Sequence, residues 1–425
     1  MKATHSTAFL CGCFSIKEKN SANLLSTEWT LIEKKAEERA LLQKFYYPEF
    51  VDFCFKEKNS PKRGITRYVF PKNEKITLAL PKNKSQEIIV KNIELYLLPY
   101  NLLIYAIQID LDGADLDDIT LTLSVLRNIT DYKEELLSTW GKIVDPIVEV
   151  YKLLAQDPKT SESDGSVRYS DLMENGNKLK IFQIVEVESE GMSEEQQKKL
   201  LFELGTLAPI NSYDANSSSS PSSDYFNKIM KENKISIFNN WKALSLFDTF
   251  TFLSQPAPAY IRENWVSAYF SMIYIHALFL KFYLFRMNIL FRKRKTDAAR
   301  LEEEFAEFEC NCCFHKISYN FLPLEIYEGL DVGLEINEEK NQLYRLIEQE
   351  KNIQEKKGDQ RMNSLLFILT CMTVFSTIWD FCCLLDQIQP YEQSLGSSVL
   401  GYRVAASTIL LILLIFIIFN NKFKK

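Results

Sequence analysis

The chain has 425 residues, 46% of them hydrophobic and 25% charged, with a formal net charge of −6. Nothing in that balance argues for bulk nucleic-acid binding, and the length suits one large or two medium soluble domains plus a membrane unit. Nine cysteines, odd in number and scattered, suit free thiols in a reducing compartment and argue against a disulfide framework.

Residues 1–15 read MKATHSTAFLCGCFS and hold no apolar run long enough for export. Leu10-Cys11-Gly12-Cys13 has the look of a lipoprotein cleavage box, but the hydrophobic stretch that should precede it is missing. The N-terminal mass is therefore expected in the cytoplasm. Residues 64–110 read as β structure. Two short runs, 65–70 and 75–80, are separated by Pro71-Lys72-Asn73. Ile93, Leu95 and Leu97 alternate with polar residues, Pro99-Tyr100-Asn101 turns the chain, and 102–109 is a fully apolar run suited to a central strand. Residues 115–129 then read as a helix. A polar stretch follows at 157–166, and 181–187 is a further strand. Ser193 and Gln196 form a capping box that opens a helix to about Leu204, with Gly205 as its stop. Residues 211–224, with four consecutive serines, read as a flexible loop. Leu244, Leu246, Phe250 and Phe252 suggest one more strand.

From Tyr260 the pattern is mainly helical. Residues 265–291 are apolar enough to suggest a membrane span, but they carry His276, Lys281 and Arg286 and lead into Arg292-Lys293-Arg294-Lys295. Each Lys or Arg near a bilayer centre costs about 2.5–3.5 kcal/mol. A long buried helix of the soluble domain is the expectation. Residues 334–360 form a charged helix with Ile336, Leu343, Leu346, Ile347 and Ile353 as an irregular apolar stripe.

Two C-terminal stretches are the strong membrane spans. Residues 364–385, SLLFILTCMTVFSTIWDFCCLL, would make a helix of about 33 Å, enough for a hydrocarbon core of about 30 Å. Residues 404–420, VAASTILLILLIFIIFN, are uncharged and almost purely aliphatic. Lys356, Lys357 and Arg361 precede the first span, and Lys422, Lys424 and Lys425 follow the second, which places both termini in the cytoplasm and the loop 386–403 outside. The expected architecture is an α+β (α/β) cytoplasmic domain over 1–258, long cytoplasmic helices over 259–361 and a two-helix transmembrane domain over 362–425.

The first span carries a polar stripe. Asn363, Leu366, Thr370, Thr373, Thr377 and Asp380 follow spacings of three and four and share one face, opposite Leu365, Phe367, Ile368, Phe375, Ile378 and Phe381. If several copies surround an axis, the stripe becomes rings of hydroxyls closed by a ring of carboxylates, which attracts cations. The alternative is that the threonines satisfy their hydroxyls locally and pack helix against helix. Cys310, Cys312, Cys313 and His315 crowd four soft ligands into six residues, closer than zinc sites usually space them, so buried or incidental thiols are the expectation. Asp110, Asp112, Asp115, Asp117 and Asp118 surround Gly113 in an order that does not fit an EF-hand loop, so they are expected to leave a strand and start a helix. There is no phosphate-binding glycine loop, nucleophile elbow or zinc-protease helix, and no catalytic role is expected.

This order of parts resembles the CorA-like metal-ion transporter superfamily. The likeness is recognisable as pattern over about 336–425. It implies a pentamer with Asn363, Thr370, Thr373, Thr377 and Asp380 lining a pore. The Gly-Met-Asn signature that should close the first span is absent; the stretch reads Trp379-Asp380-Phe381-Cys382-Cys383-Leu384-Leu385. The layout is also similar to a divergent branch without that signature, the CorA-like membrane effectors associated with type III CRISPR systems. That resemblance implies an inner-membrane, multi-pass homo-oligomer gated by a nucleotide second messenger, S-adenosylmethionine joined to AMP, in antiviral defence. A constitutive divalent-cation transporter and a non-conducting membrane scaffold are the alternatives.

Overall fold

The computed structural model describes residues 1–17, 28–56, 63–81, 83–128, 134–156, 158, 167, 169–174, 178–188, 191–214, 217–293 and 298–388. The second span at 404–420, the basic tail and nearly all of 157–166 lie outside the described residues. Contacts divide the chain into Met1–Leu346 and Ile347–Lys425.

The first unit is built on a nine-stranded mixed sheet. Its strands are β1 (His5–Ser15), β2 (Thr30–Ile32), β3 (Thr66–Leu80), β4 (Lys84–Leu98), β5 (Leu102–Asp110), β6 (Lys180–Glu186), β7 (Lys234–Ile235), β8 (Trp241–Ser245) and β9 (Thr249–Ser254). Their order is β2-β3-β4-β5-β1-β6-β9-β8-β7, with only β6 and β9 parallel. β1, a segment that no sequence pattern marked as a strand, lies at the centre between β5 and β6. Cys11 and Cys13 lie within it, both buried, and burial pushes both thiols well up. The lipoprotein-like tetrad is thus core strand.

Helices cover both faces of the sheet, as a sheet buried on both sides requires. On one face lie α3 (Leu116–Arg127), α4 (Glu134–Leu154), α5 (Glu194–Thr206) and α6 (Ser223–Glu232), after the short α1 (Ala36–Leu42) and α2 (Pro48–Cys54). Ala8, Leu10 and Phe14 of β1 join Leu123, Ile147 and Leu201 in the core on that side. The other face is aromatic. Register pairs Phe9 with Phe182 and Phe182 with Phe250, so three rings stand side by side across β1, β6 and β9. The helical stretch Ala259–Lys293 lies over them. It comprises α7 (Ala259–Asn264), a π-helical segment Trp265–Tyr274 and α8 (Ile275–Lys293). Phe270 stacks on Phe9 at 3.7 Å, and Trp265 stacks on Phe252 at 5.3 Å. The most apolar window of this stretch is 94% buried inside the protein, so its apolar character serves the core. α9 (Ala298–Cys312) and α10 (Phe321–Leu334) follow, and α11 (Ile336–Ile388) is the last described helix.

Several local readings shift. The runs 65–70 and 75–80 are one strand, β3, carried through an irregularity between Pro71 and Glu74 where Asn73 takes a left-handed φ of 45°. Leu244 to Phe252 is not one strand but the hairpin β8–β9, turned at Leu246–Asp248. The Ser193–Gln196 capping box is present, but Gly205 does not end α5; Leu207 does, in a left-handed cap. Gly205 instead packs closely on the sheet: a Cβ there would lie 2.7 Å from Leu244 Cδ2, so the Leu244 side chain would have to shift. The acids around Gly113 leave β5 and start α3 as expected, and they have separate partners: Asp110 accepts from Thr7, Asp112 from His5 at 2.9 Å, Asp117 from the Ile210 amide at 2.8 Å, and Asp118 pairs with Lys84 at 2.7 Å.

Gly12 faces Tyr105 across the β1–β5 ladder, and a Cβ at Gly12 would sit 2.2 Å from the Tyr105 hydroxyl. Gly12→Ala is expected to destabilise the protein by about 1–3 kcal/mol, and Tyr105→Leu added to it should recover part of that loss, read as denaturation midpoints. A second expectation concerns pH. The hydrogen bond and charge of Asp112 raise the His5 imidazole above its ordinary value, against partial burial. Burial pushes the Asp112 carboxyl up, but hydrogen bonds from His5 and the Ser6 amide outweigh it and leave it lowered. The His5 contribution is full below about pH 6.5 and is lost as pH rises through its raised value; that of Asp112 is full above about pH 4 and is lost as pH falls through its lowered value. Wild type should therefore exceed His5→Gln in stability most between about pH 4 and 6.5, by less than about 1 kcal/mol because Asp112 is half exposed. A constant difference up to alkaline pH would remove the pair from the stability balance.

Candidate membrane helix and ligand cleft

α11 runs 53 residues. Its first turns belong to the first unit and are fixed there by a buried polar node. Lys281 on α8 is 3% exposed, and its Nζ lies 3.1 Å from Glu339 Oε1. Asn288, two turns further along the same face of α8, donates to Glu339 Oε2 at 2.7 Å and to the Glu339 carbonyl at 3.1 Å. The Lys281 ammonium also stands 4.6 Å from the centre of the Phe247 ring, and Lys180 stands 3.7 Å from the same ring. Lys180 is held by Asp248 at 2.8 Å; burial still pulls its ammonium below the ordinary value. Nearby, Lys340 pairs with Glu309 of α9 at 2.6 Å, and Tyr344 also donates to that carboxylate. The irregular stripe is buried at Ile336 and Leu343.

The second unit holds the rest of α11. In its most apolar window none of the residues is buried. Leu365, Leu366, Ile368, Leu369, Phe375 and Trp379 are all more than half exposed. Two helices of the described chain are thus long and apolar enough to cross a membrane, Ala259–Lys293 and Ile336–Asp380, and only the second leaves its apolar surface bare. Asn363, Leu366, Thr370, Thr373, Thr377 and Asp380 are all exposed and, at 3.6 residues per turn, fall within an arc of about 100°. The threonine hydroxyls donate to their own helix: Thr370 to the Leu366 carbonyl at 2.7 Å, Thr373 to Thr370 at 2.9 Å, Thr377 to Thr373 at 2.8 Å. Ser364 does the same toward Gln360 at 2.8 Å. Each hydroxyl keeps lone pairs free to accept.

The cysteine run at 310–315 is dispersed by α9 and the loop after it. Cys310 and His315 are exposed, while Cys312 is buried and its thiol is pushed up to about 12 by burial. His276 reaches this region, its ring among Phe50, Phe53 and Phe314 and its Nε2 at 2.9 Å from the Cys312 carbonyl. Among the described residues no three His, Cys, Asp or Glu side chains converge as metal ligands.

No spacing in the sequence pointed to a ligand site, but the first unit contains a cleft of about 800 Å³. It lies where β1 ends, beside the β4–β5 turn, with α8 and α9 as its far wall. Tyr100, left-handed at φ 59°, anchors that turn against Tyr283 at 4.8 Å. Five cationic and three acidic side chains line the cleft. Its size falls in the range of small-molecule sites. The cations come from positions 17, 56, 63, 286 and 300, which only the fold brings together.

No protein-family model, curated protein or solved structure matches this chain.

The node beneath α11 generates its own test. Glu339→Ala leaves Lys281 buried without its carboxylate and should cost about 3–5 kcal/mol, whereas Lys281→Met with Glu339→Leu should cost much less. Equal losses for the single and double variants, measured by denaturation of the full chain, would show that the pair contributes only packing.

Proposed function

We propose that this protein is a ligand-responsive membrane effector. Its sheet domain senses a cytoplasmic ligand, and α11 crosses the inner membrane and assembles with copies of itself around a cation path. The observation that carries this reading is α11: it starts in a buried ion-paired seat in the folded unit and goes on into an apolar window with no buried residue. Lipid is the environment that such a surface suits, because in water it would be an exposed apolar patch far larger than soluble proteins keep. The stripe from Asn363 to Asp380 is the face assigned to the partner copies, and Asp380 supplies a carboxylate ring that favours cations. The resemblance to the CorA-like superfamily supports a pentamer. The likeness to its type III CRISPR-associated branch supports a role in antiviral defence, with S-adenosylmethionine joined to AMP as the activating ligand.

One observation favours a second reading. The threonine hydroxyls donate within their own helix, as they do in helices that merely pack, so a non-conducting anchor also fits the stripe. Reconstitution in liposomes separates the readings. A gated channel gives cation flux only with the nucleotide, loses cation preference in Asp380→Asn, and loses flux when Thr370, Thr373 and Thr377 all become Leu. Flux without any nucleotide marks a constitutive divalent-cation transporter. Absence of flux under every condition, with the protein inserted, marks the anchor.

A further inference from the structure

We infer that the cleft beside Tyr100 is a binding site for a polyanion carrying two or more phosphate groups. The inference starts from charge. The chain as a whole is acidic at −6, yet cations outnumber carboxylates in this cleft. Three of the cations are arginines from separate segments: Arg63 before β3, Arg286 on α8 and Arg300 on α9. Guanidinium groups present a planar fork of donors that matches phosphate oxygens, two bonds at a time.

Each arginine is posed differently. Arg63 lies 4.7 Å from the centre of the Tyr100 ring, donates to its hydroxyl, and pairs with Glu307 at 2.6 Å. Stacking on a tyrosine fixes the plane of the guanidinium, and the Glu307 contact is a half-exposed ion pair of small worth that an incoming phosphate can replace. Arg286 is steadied by Ser15 Oγ at 3.2 Å, and Ser15 in turn donates to Glu174 at 2.6 Å. Arg300 is exposed and makes no ion pair among the described residues. The cleft therefore holds one guanidinium ready for a ligand, one held by a hydroxyl and one held by an exchangeable carboxylate.

The same geometry says what the ligand is recognised by. Tyr100 has Arg63 against its ring and Tyr283 at 4.8 Å, so it does not offer an open face for a base to stack on. Recognition rests on the anionic groups. A volume of about 800 Å³ accommodates two or three linked phosphates with an attached group. The phosphates can come from a soluble polyphosphate or from a phosphorylated lipid headgroup; S-adenosylmethionine joined to AMP has a single phosphate and is not the occupant this cleft selects. Binding itself stands apart from the membrane-effector reading; only its consequence for α11 rests on that reading.

The test is a titration of the full-length protein in nanodiscs of phosphatidylcholine with inorganic tripolyphosphate, followed by calorimetry. Saturable binding is expected, weakened about tenfold or more in Arg300→Gln and in Arg286→Gln. Arg300 is exposed, so its variant should fold, and unchanged thermal unfolding without tripolyphosphate verifies this. Glu307→Gln, which frees Arg63, should bind more tightly than wild type, while Glu303→Gln, on α9 but outside the cleft, should not. Repeating the titration in nanodiscs that contain phosphatidylinositol 4-phosphate identifies the source: a headgroup occupant blocks the tripolyphosphate titration, and a soluble occupant leaves it intact. No saturable binding in phosphatidylcholine nanodiscs overturns the site, as does binding that Arg300→Gln and Arg286→Gln leave unchanged. If tripolyphosphate binds as described and ligand-dependent flux is nevertheless absent, the site stands and the gating reading falls.

Discussion

A strand buried on both faces dictates most of this architecture. β1 shows no exposed residue along its length, so apolar layers must close over both sides of the sheet at its centre. One side is closed by aliphatic helices. The other is closed by a row of aromatic rings from three strands and by the helical stretch Ala259–Lys293 above them. A helix in that position meets protein nearly all round, so it is apolar nearly all round, and composition alone cannot distinguish it from a membrane span. Its polar residues decide. Lys281 and Asn288 are buried and each has a partner on α11, the pattern of a protein interior where charge is tolerated only when paired.

α11 poses the same question, and its apolar window is bare where that of Ala259–Lys293 is buried. Its first turns are amphipathic and bury Ile336 and Leu343. Its later turns are apolar and bury nothing. A folded chain does not leave nine large apolar side chains between Met362 and Trp379 facing water, since each would forgo roughly 1.5–3 kcal/mol of burial. Under the proposed function, lipid and copies of the same helix supply the environment that this surface lacks.

How much was legible in the sequence follows from how local each signal is. The capping box of α5 is a four-residue pattern whose chemistry is complete within itself, and it was readable. So were β5, an unbroken apolar run, and the turn at Tyr100. β1 was not, because Thr7, Cys11, Gly12 and Cys13 dilute its apolar pattern, and the need for a glycine at position 12 comes from Tyr105, more than ninety residues away. The β8–β9 hairpin was missed because its turn, Leu246–Asp248, contains no glycine, proline or asparagine. The polar stripe of α11 was readable as a face, since spacing fixes angular position on a helix. The cleft was not readable at all, because Arg63 is more than two hundred residues from Arg286 and Arg300, and only the β4–β5 turn and the α8–α9 wall bring them together.

The threonines of α11 show how far local geometry constrains assembly. A hydroxyl that donates to the carbonyl four residues back removes most of its own cost of entering lipid, so Thr370, Thr373 and Thr377 do not by themselves demand a polar neighbour. They permit close packing of helices, and their remaining lone pairs permit, without requiring, contact with a cation. Asp380 is different. A carboxylate cannot satisfy itself within a helix, and in lipid it must reach water, a partner or a cation. It lies on the same arc as the threonines and at the end of Ile336–Asp380, the stretch long and apolar enough to cross a membrane. Under the proposed assembly, the direction that satisfies Asp380 also fixes the rotation of the helix about its axis, with the threonine stripe turned toward the same interior and the Leu365–Phe375 face toward lipid.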